Sequence, residues 1–323
     1  MNSVPQDPLG FDLPLPLRSR HYPLGFPLDI ETNSEHVLAA ADWSWGAFPA
    51  TGPKRGGTLR VVVENCDART PPLPSLPRGR DHLITTVHGS DNFAVCDLAR
   101  SYTFICLTQD VARNQPYVRY HFLDPAGYMM IDALHLSPVH ASCVAWNGRA
   151  VLLCGDAGAG KTSLAYACAR MGWTYLSDDA THIVRGRADH AVVGRPFRIR
   201  FRESARRLFP ELKQFVPERR PNGKLDIEVE TKTLGMTVAL ESNASHVVFL
   251  NRKGDSARAR VAPFVRSEAA HRLSNLTCYG DERVRSEQSQ ALTEFLELPT
   301  MELTYSDLAG AESALRSLAE SEV

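Results

Sequence analysis

The chain has 323 residues, of which 43% are hydrophobic and 23% are charged, and its formal net charge is −1. This is the composition of a soluble globular protein with room for two domains, and it excludes a polyelectrolyte that binds nucleic acid through overall charge. No apolar run approaches the roughly 20 residues of a membrane helix, and the first residues lack the pattern of a secretion signal. We therefore expect a cytoplasmic protein.

The seven cysteines are odd in number and form no Cys-x-x-Cys pair. Most stand inside apolar runs such as FICLT and VLLCG, where a free thiol behaves as a small hydrophobic side chain. We predict reduced, buried cysteines and no metal cluster, in keeping with a cytoplasmic location.

The first part of the chain, residues 1–135, is predicted to be a proline-rich arm followed by a β-rich domain. Six prolines within the first 30 residues preclude a continuous helix. Thr32 and Glu35 have the spacing of a capping box, which predicts a short helix after them. From Thr58 onward, segments rich in β-branched and aromatic residues are predicted strands. These segments are TLRVVVEN, DHLITTVHG, NFAVCDL, YTFICLTQ, YVRYHFL and YMMIDALHL.

The second part, residues 136–323, is predicted to be an α/β domain. Asn147-Gly148 lies between two apolar runs, which indicates a two-residue hairpin turn because both residue types tolerate positive φ. The second hairpin strand, RAVLLC, leads into a glycine-rich loop, a helix that ends near Gly172, and the short strand WTYLS. Further strands are predicted at HIVRG, AVVGR, LDIEVE, HVVFLNR and MELTY. Further helices are predicted at RESARRLFPELKQF, SEAAHRLSNL, ERVRSEQSQALTEFLEL and from Ser306 onward.

Residues 155–162, GDAGAGKT, match the phosphate-loop pattern G-x-x-x-x-G-K-[ST] in full. An apolar strand precedes the loop and a helix follows it, so its backbone N–H groups and the positive end of the helix are expected to face phosphate oxygens. Lys161 is predicted to reach the β- and γ-phosphates, and the Thr162 hydroxyl to ligate Mg²⁺. The predicted nucleotide-binding residues are Gly155, Asp156, Ala157, Gly158, Ala159, Gly160, Lys161, Thr162 and Ser163.

Asp178 and Asp179 follow the strand WTYLS, with 16 residues between Lys161 and Asp178. Acidic residues are common in turns after strands, which is the alternative interpretation. The helix after the loop, however, returns the chain directly into this strand and so brings the acids to the edge of the sheet that carries the phosphates. One carboxylate can then ligate Mg²⁺ with Thr162, and the other can deprotonate an attacking hydroxyl. This pattern indicates a phosphotransferase.

The segment VHASCVAWNGRAVLLCGDAGAGKTSLAYACARMGWTYLSDDATHI resembles the catalytic core of the HPr kinase/phosphorylase family, bacterial serine kinases whose nucleotide-binding fold is related to phosphoenolpyruvate carboxykinase. The resemblance implies that His140 is an active-site histidine, although histidines that begin hairpin strands are usually structural. It also implies that Lys161 and Thr162 hold phosphate and metal, that Asp178 is the catalytic acid/base and that Asp179 lies on the metal side.

The resemblance is confined to this C-terminal core. GRPFRIRFRESARRLFPEL stands where the family carries an Arg-Gly-Leu-Gly signature, so the resemblance implies kinase chemistry but leaves HPr as acceptor and phosphorolysis unsupported. Because the family forms symmetric assemblies, a homo-oligomer is also an expectation.

Residues 185–224 hold twelve Lys or Arg and four acids. A strand over RPFRIRFRE would place Arg198 and Arg200 on one face, where they could hold a phosphoryl group or an anionic acceptor; a solvated face is the alternative. RRPNGK is predicted to be an exposed turn, which is either a lid that brings Arg220 or Lys224 to the site or a hairpin turn without function. No aromatic-rich module accompanies these charges, so RNA binding is not predicted.

These patterns predict a kinase that uses ATP and Mg²⁺ to phosphorylate a hydroxyl group on a protein, a peptide or a small metabolite. Two alternatives remain open. One is a nucleotide-binding sensor or assembly factor with slow or no hydrolysis, and the other is a donor different from ATP, such as pyrophosphate.

Overall fold

The structure of the chain is a computed structural model of mixed α/β architecture with several sheets. It describes residues 13–50, 55–64, 76–253, 258–274 and 280–321. Within these ranges, no helix combines the length and the apolar character that crossing a membrane requires. The cysteines in these ranges are free and buried, as predicted: Cys96, Cys106, Cys143, Cys154 and Cys168.

By its internal contacts the chain divides into two compact units. One contains Met1–Leu134 and Tyr279–Arg285, and the other contains His135–Cys278 and Ser286–Val323. All of the residues that the sequence singles out for function belong to the second unit.

The described part of the first unit contains a seven-stranded sheet with helices. Its strands are β1 (Leu17–His21), β2 (Leu28–Thr32), β3 (Gly57–Glu64), β4 (Arg78–Arg80), β5 (Leu83–Val87), β6 (Phe93–Asp97) and β7 (Tyr102–Thr108), in the sheet order β1-β2-β3-β7-β6-β5-β4. Its helices are α1 (Glu35–Trp45), α2 (Gln109–Arg113), α3 (Gln115–Val118) and α4 (Asp124–Leu134), with a π-helical turn at Arg119–Leu123. The first twelve positions of the predicted arm lie outside the described residues, and the next part of the arm forms β1 and β2.

Two predicted strands in this unit are wrong. YVRYHFL lies in α3 and the π-helical turn, and YMMIDALHL lies in α4 as far as Leu134, with only its last residue, Leu136, in a strand. Val118, Phe122 and Met130 are buried and spaced by four and eight residues, which is the spacing of one helix face. The side-chain oxygen of Asn114 accepts the Tyr117 N–H at 3.3 Å and caps the start of α3. Aromatic and β-branched residues suit a buried helix as well as a strand, so composition alone misassigned these segments.

The helix predicted after Thr32 is present as α1, but its N-cap is Ser34. The Thr32 hydroxyl instead accepts the Ser34 N–H at 3.2 Å. The predicted capping box is therefore wrong, although the position of the helix is right.

The second unit is built around a nine-stranded sheet in the described residues. Its strands are β8 (Leu136–Val139), β9 (Ala141–Trp146), β10 (Arg149–Cys154), β11 (Thr174–Ser177), β12 (Thr181–Val184), β13 (Ala191–Val193), β17 (Glu241–Arg252), β18 (Arg260–Pro263) and β19 (Thr300–Tyr305). The main path is β11-β9-β10-β17-β13-β12-β8, and β19 pairs with both β17 and β18. The helices are α5 (Lys161–Arg170), α6 (Arg266–Ser274), α7 (Glu282–Phe295, which belongs to this unit from Ser286) and α8 (Leu308–Glu320). A three-stranded sheet of β14 (Arg198–Arg202), β16 (Leu225–Glu230) and β15 (Glu218–Arg219) completes the unit.

The nine-stranded sheet is buried on both faces, which explains why its strands are near-continuous apolar runs. Val151 and Leu153 of β10 belong to one core cluster, together with residues of α5 and α8. Leu152 and Cys154 belong to the other cluster, together with residues of α6 and α7. The β9–β10 hairpin is confirmed, with positive φ at both Asn147 and Gly148. Within the sheet β10, β17 and β19 run parallel, so their carboxyl ends share one edge.

The helix predicted over RESARRLFPELKQF is wrong. Two short 3-10 helices, Glu203–Arg207 and Pro210–Gln214, stand there. Pro210 has no N–H to donate and disfavours helical geometry at Phe209, whose φ and ψ are −129° and 89°. The chain therefore turns at this point.

A buried carboxylate holds α8 against the end of α5. Glu312 is 5% exposed and accepts hydrogen bonds from Trp173 Nε1 at 2.8 Å and from Arg316 Nη2 at 2.6 Å. Glu312→Ala is expected to lower the free energy of unfolding by about 2 kcal/mol, because the buried indole N–H loses its acceptor while Arg316 stays partly hydrated. Chemical denaturation beside Glu320→Ala checks this, since Glu320 accepts from Trp146 Nε1 at the surface. Equal losses for the two variants would contradict the role of Glu312.

Candidate active site

The phosphate loop joins the carboxyl end of β10 to the start of α5. Gly155, Gly158 and Gly160 have φ values of 153°, 93° and 98°, in the left-handed region that favours glycine. Gly160 is the N-cap of α5, which begins at Lys161. The first N–H groups of α5 and its positive dipole end are therefore directed toward the loop, as an anion site requires.

Tyr305, at the end of β19, forms a hydrogen bond with the backbone of the phosphate loop. Its hydroxyl donates to the Ala159 carbonyl at 2.8 Å, and the side chain is 1% exposed. Burial raises the pKa of Tyr305, so the phenol remains a donor at neutral pH. A Cβ at Gly160 would lie 2.5 Å from the Tyr305 hydroxyl. The sequence pattern does not single out Tyr305; the available signal is its place at the end of a parallel strand, on the edge where the loop also lies.

Gly160→Ala is expected to weaken phosphate binding at least tenfold, about 1.4 kcal/mol, because both the positive φ and the contact with Tyr305 oppose a side chain. Isothermal titration with ATP and Mg²⁺ measures the effect. Gly186→Ala, at an exposed positive-φ turn with open space around it, is the matched control and should leave binding unchanged. Equal affinity for ATP in the Gly160→Ala variant and the native protein would contradict this account of the loop.

Lys161 is 7% exposed, and its ammonium donates to the Gly155 carbonyl at 2.6 Å and to the Asp156 carbonyl at 3.4 Å. Burial lowers the pKa of Lys161, and the carboxylate of Asp179 acts in the opposite direction. The ammonium therefore lies within the curve of the loop, where a phosphate oxygen would find a partly desolvated positive charge.

A cavity of about 480 Å³ opens beside the loop and brings most of the predicted residues together. It is lined by His140, Asp156, Ala157, Gly158, Gly160, Lys161, Thr162, Ser163, Asp178, Asp179, Arg200, Phe201, Arg202, Ser204, Ala205, Leu208, Arg220, Lys224, Asp226 and Arg252. Of the predicted residues, Gly155, Ala159 and Arg198 do not line it.

Asp178 is held in place by two neighbouring strands. Its carboxylate accepts the backbone N–H of Arg200 at 2.8 Å, and its carbonyl accepts the Ser142 hydroxyl at 2.5 Å. Burial raises the pKa of Asp178, which the positive charge of Arg200 opposes. A carboxylate with a raised pKa is a better proton acceptor near neutral pH.

Tyr175, fully buried in β11, is a second residue that sequence analysis did not identify. Its hydroxyl donates to the Arg198 carbonyl at 3.4 Å. Burial, followed by the nearby charge of Asp178, raises the pKa of Tyr175 well above its ordinary value. Tyr175 therefore stays neutral beneath Asp178 and Asp179.

His140 contacts Asp179. His140 Nδ1 lies 3.1 Å from the Asp179 carbonyl oxygen and 3.2 Å from its carboxylate oxygen Oδ1. The acidic side chain that His140 contacts is therefore that of Asp179. The contact arises because β9 pairs with β11 and β8 pairs with β12, which brings the turns at His140 and Asp179 together.

Thr162 and Asp179 supply oxygen ligands to the same cavity, and Asp179 is 67% exposed. Oxygen ligands fit Mg²⁺, which commonly takes one or two protein ligands and completes its shell with phosphates and water. The described residues contain no group of three or more His, Cys, Asp or Glu side chains able to hold a metal by themselves. Thr162 and Asp179 therefore fit a Mg²⁺ ion that takes its remaining ligands from groups other than these side chains.

The arginine row of β14 is paired across the small sheet. Arg200 Nε lies 2.5 Å from a Glu228 carboxylate oxygen, and Arg198 lies 3.9 Å from Glu228 and 4.0 Å from Glu230. Arg198 and Arg200 are therefore not an unpaired cationic face, because Glu228 and Glu230 of β16 lie opposite them. The arginines form a charge ladder with β16, and Arg200 also reaches the cavity.

RRPNGK forms the hairpin turn between β15 and β16, with Gly223 at φ 80°. Arg220 pairs with Asp226 at 3.0 Å. Both Arg220 and Lys224 line the cavity, so this turn lies at its rim.

No family model matches the chain, and no curated protein matches it in sequence. Among solved structures, it is similar to the Hpr(Ser) kinase/phosphatase from Coxiella burnetii, with 11% sequence identity and a TM-score of 0.33 over 56% of this chain and 95% of that chain. At this TM-score the similarity does not establish what this chain does.

Proposed function

We propose that the chain is a phosphotransferase of the HPr-kinase type, with its catalytic residues in positions 136–323, that transfers the γ-phosphoryl group of ATP to a hydroxyl group. One observation carries the proposal. A single cavity is lined by most of the phosphate loop, including Lys161, and by a partly desolvated carboxylate, Asp178, whose pKa is raised. The loop by itself would suffice for binding a nucleotide. Phosphoryl transfer also requires a base that accepts the proton of the acceptor hydroxyl, and Asp178 lies beside the loop for that role.

The residues divide the work as follows. The loop N–H groups and Lys161 hold the β- and γ-phosphates and stabilise the charge that develops on them. Asp178, fixed by the Arg200 N–H, accepts the proton of the acceptor hydroxyl as the oxygen attacks the γ-phosphorus, and the bond from that phosphorus to the β–γ bridging oxygen breaks to release ADP. Thr162 and Asp179 would hold Mg²⁺, which supplies charge neutralisation at the phosphate oxygens. His140 positions Asp179.

The acceptor is a hydroxyl on a protein, a peptide or a small metabolite. Arg202 and Lys224 on the cavity wall favour an anionic acceptor or an acidic segment beside the hydroxyl, because Arg200 and Arg220 already pair with Glu228 and Asp226.

The test compares transfer with hydrolysis. Purified protein is incubated with ATP, Mg²⁺ and either the protein fraction or the small-molecule fraction of a cell extract, and ADP and free phosphate are measured separately. A kinase forms more ADP than phosphate, the difference being phosphoryl groups on the acceptor. Equal amounts of ADP and phosphate, or neither product, would overturn the proposal and favour a nucleotide-binding sensor or assembly factor.

A further inference from the structure

A second cavity, of about 430 Å³, opens on another side of the phosphate loop. Three loop residues form one wall, the end of β17 forms another, and α6 contributes one side chain. Asp156, Gly158 and Arg252 line both this cavity and the first one. The two cavities therefore meet at the loop.

The second cavity lies beyond the carboxyl ends of the parallel strands β10 and β17, where open α/β sheets bind ligands. A nucleotide whose phosphates occupy the loop has to direct its γ-phosphate toward Asp178 in the first cavity. The nucleoside then extends from the loop away from the first cavity. The second cavity lies next to the same loop residues and has room for it.

The wall of the second cavity carries a planar cation, the guanidinium of Arg272, beside an acid and two aromatic rings. Arg272 of α6 pairs with Glu268 at 2.6 Å. Its guanidinium lies 5.2 Å from the ring centre of Phe264 and 5.8 Å from that of Phe249, and these two rings stack at 4.5 Å. Planar guanidinium groups stack on nucleobases.

Asn251, near the end of β17, lies on the same wall and is partly buried. Its side-chain amide offers both donors and an acceptor to the edge of a base. Arg252, which lines both cavities, stands where the α- and β-phosphates of a nucleotide would pass from one cavity to the other.

We infer that the second cavity binds the nucleoside of the phosphoryl donor, with a purine base stacked on the Arg272 guanidinium. The inference rests on the proposed function and deepens it, because it distinguishes a nucleotide donor from pyrophosphate. A donor without a base would leave this cavity without a role.

The experiment compares the binding of ATP and of inorganic tripolyphosphate, each with Mg²⁺, to the full chain by isothermal titration. Arg272→Met keeps an aliphatic cover on Phe264 and removes the planar charge. It is expected to weaken ATP binding at least about tenfold while leaving tripolyphosphate binding unchanged. Arg266→Met is the matched control on the same helix, because its guanidinium donates to the Glu297 carbonyl and does not line the cavity. Asn251→Ala, expected to lose ATP affinity selectively as well, serves if Arg272→Met does not fold.

Unchanged ATP affinity in both cavity variants, or equal losses for ATP and tripolyphosphate, would overturn the inference. Native protein that binds tripolyphosphate as tightly as ATP would also overturn the inference, but it would still support the phosphate loop as the phosphate-binding site. Native protein that binds neither compound would overturn the proposed function and the inference together.

Discussion

Asp178→Asn is expected to abolish phosphoryl transfer while ATP still binds. The amide has nearly the same volume, and its oxygen can still accept the Arg200 N–H that holds the native carboxylate at 2.8 Å. It cannot accept the hydroxyl proton, and loss of a general base costs roughly 10²- to 10⁴-fold in rate. Turnover is measured as ADP formation with the acceptor fraction, and ATP affinity by titration. Near-normal turnover with retained folding would show that Asp178 is not the base.

The same variant is expected to melt at a higher temperature than the native protein near neutral pH. Burial raises the pKa of Asp178 in the folded state above its unfolded value. The stability that the protonated carboxyl contributes is fully present below the unfolded pKa and is lost as pH rises through the folded pKa. The neutral amide avoids that loss, so the difference in Tm should shrink as pH falls. Asp179→Asn, at an exposed carboxylate, is the control and should show no such gain.

Lys161→Met is expected to weaken the binding of ATP and pyrophosphate alike, by roughly 10²-fold. Charge-assisted hydrogen bonds from a partly desolvated ammonium contribute about 1.5–3 kcal/mol, and methionine fills the same space without donating. The readout is the rise in Tm with each ligand, with and without Mg²⁺, since a ligand that binds only the folded state raises Tm by mass action.

The unliganded Lys161→Met protein should remain folded, because burial lowers the pKa of Lys161 and thus already disfavours its charge in the folded state. Lys213→Met is the matched control, at an exposed lysine outside the cavity. A full thermal shift with ATP in the Lys161→Met protein would contradict the role of the loop as the phosphate site.

Local sequence patterns predicted those parts of the site that depend on local chain geometry. The loop motif, the Asn147-Gly148 hairpin and the acid pair each extend over a few residues, and their turn chemistry determines their backbone. The parallel order of β10 and β17 then brings the predicted elements to one edge. The approximate location of the site therefore followed from the sequence.

Contacts between distant segments could not be predicted in the same way. Tyr305 and Ala159 are 146 residues apart in sequence, and the carboxylates of β16 meet the arginines of β14 only because a hairpin pairs the two strands. Arg198 and Arg200 therefore looked like a cationic face, whereas the fold pairs them with Glu228 and Glu230. Tertiary pairing decides the effective charge of such a strand.

The helical segments in place of YVRYHFL and YMMIDALHL show the opposite limitation. There the local composition favoured strands, but the stabilisation from burying one helix face exceeded that strand propensity. None of these misassigned residues lines the cavity, so the wrong strand predictions do not affect the candidate site.

The most direct test of the central claim traces γ-labelled ATP with Mg²⁺ into a cell extract that has been separated into protein and small-molecule fractions. Native protein, Asp178→Asn and Lys161→Met are run in parallel. The account predicts label in one fraction with the native protein only, which also identifies the class of the acceptor. Label released solely as free phosphate, or transferred equally by the Asp178→Asn variant, would contradict it.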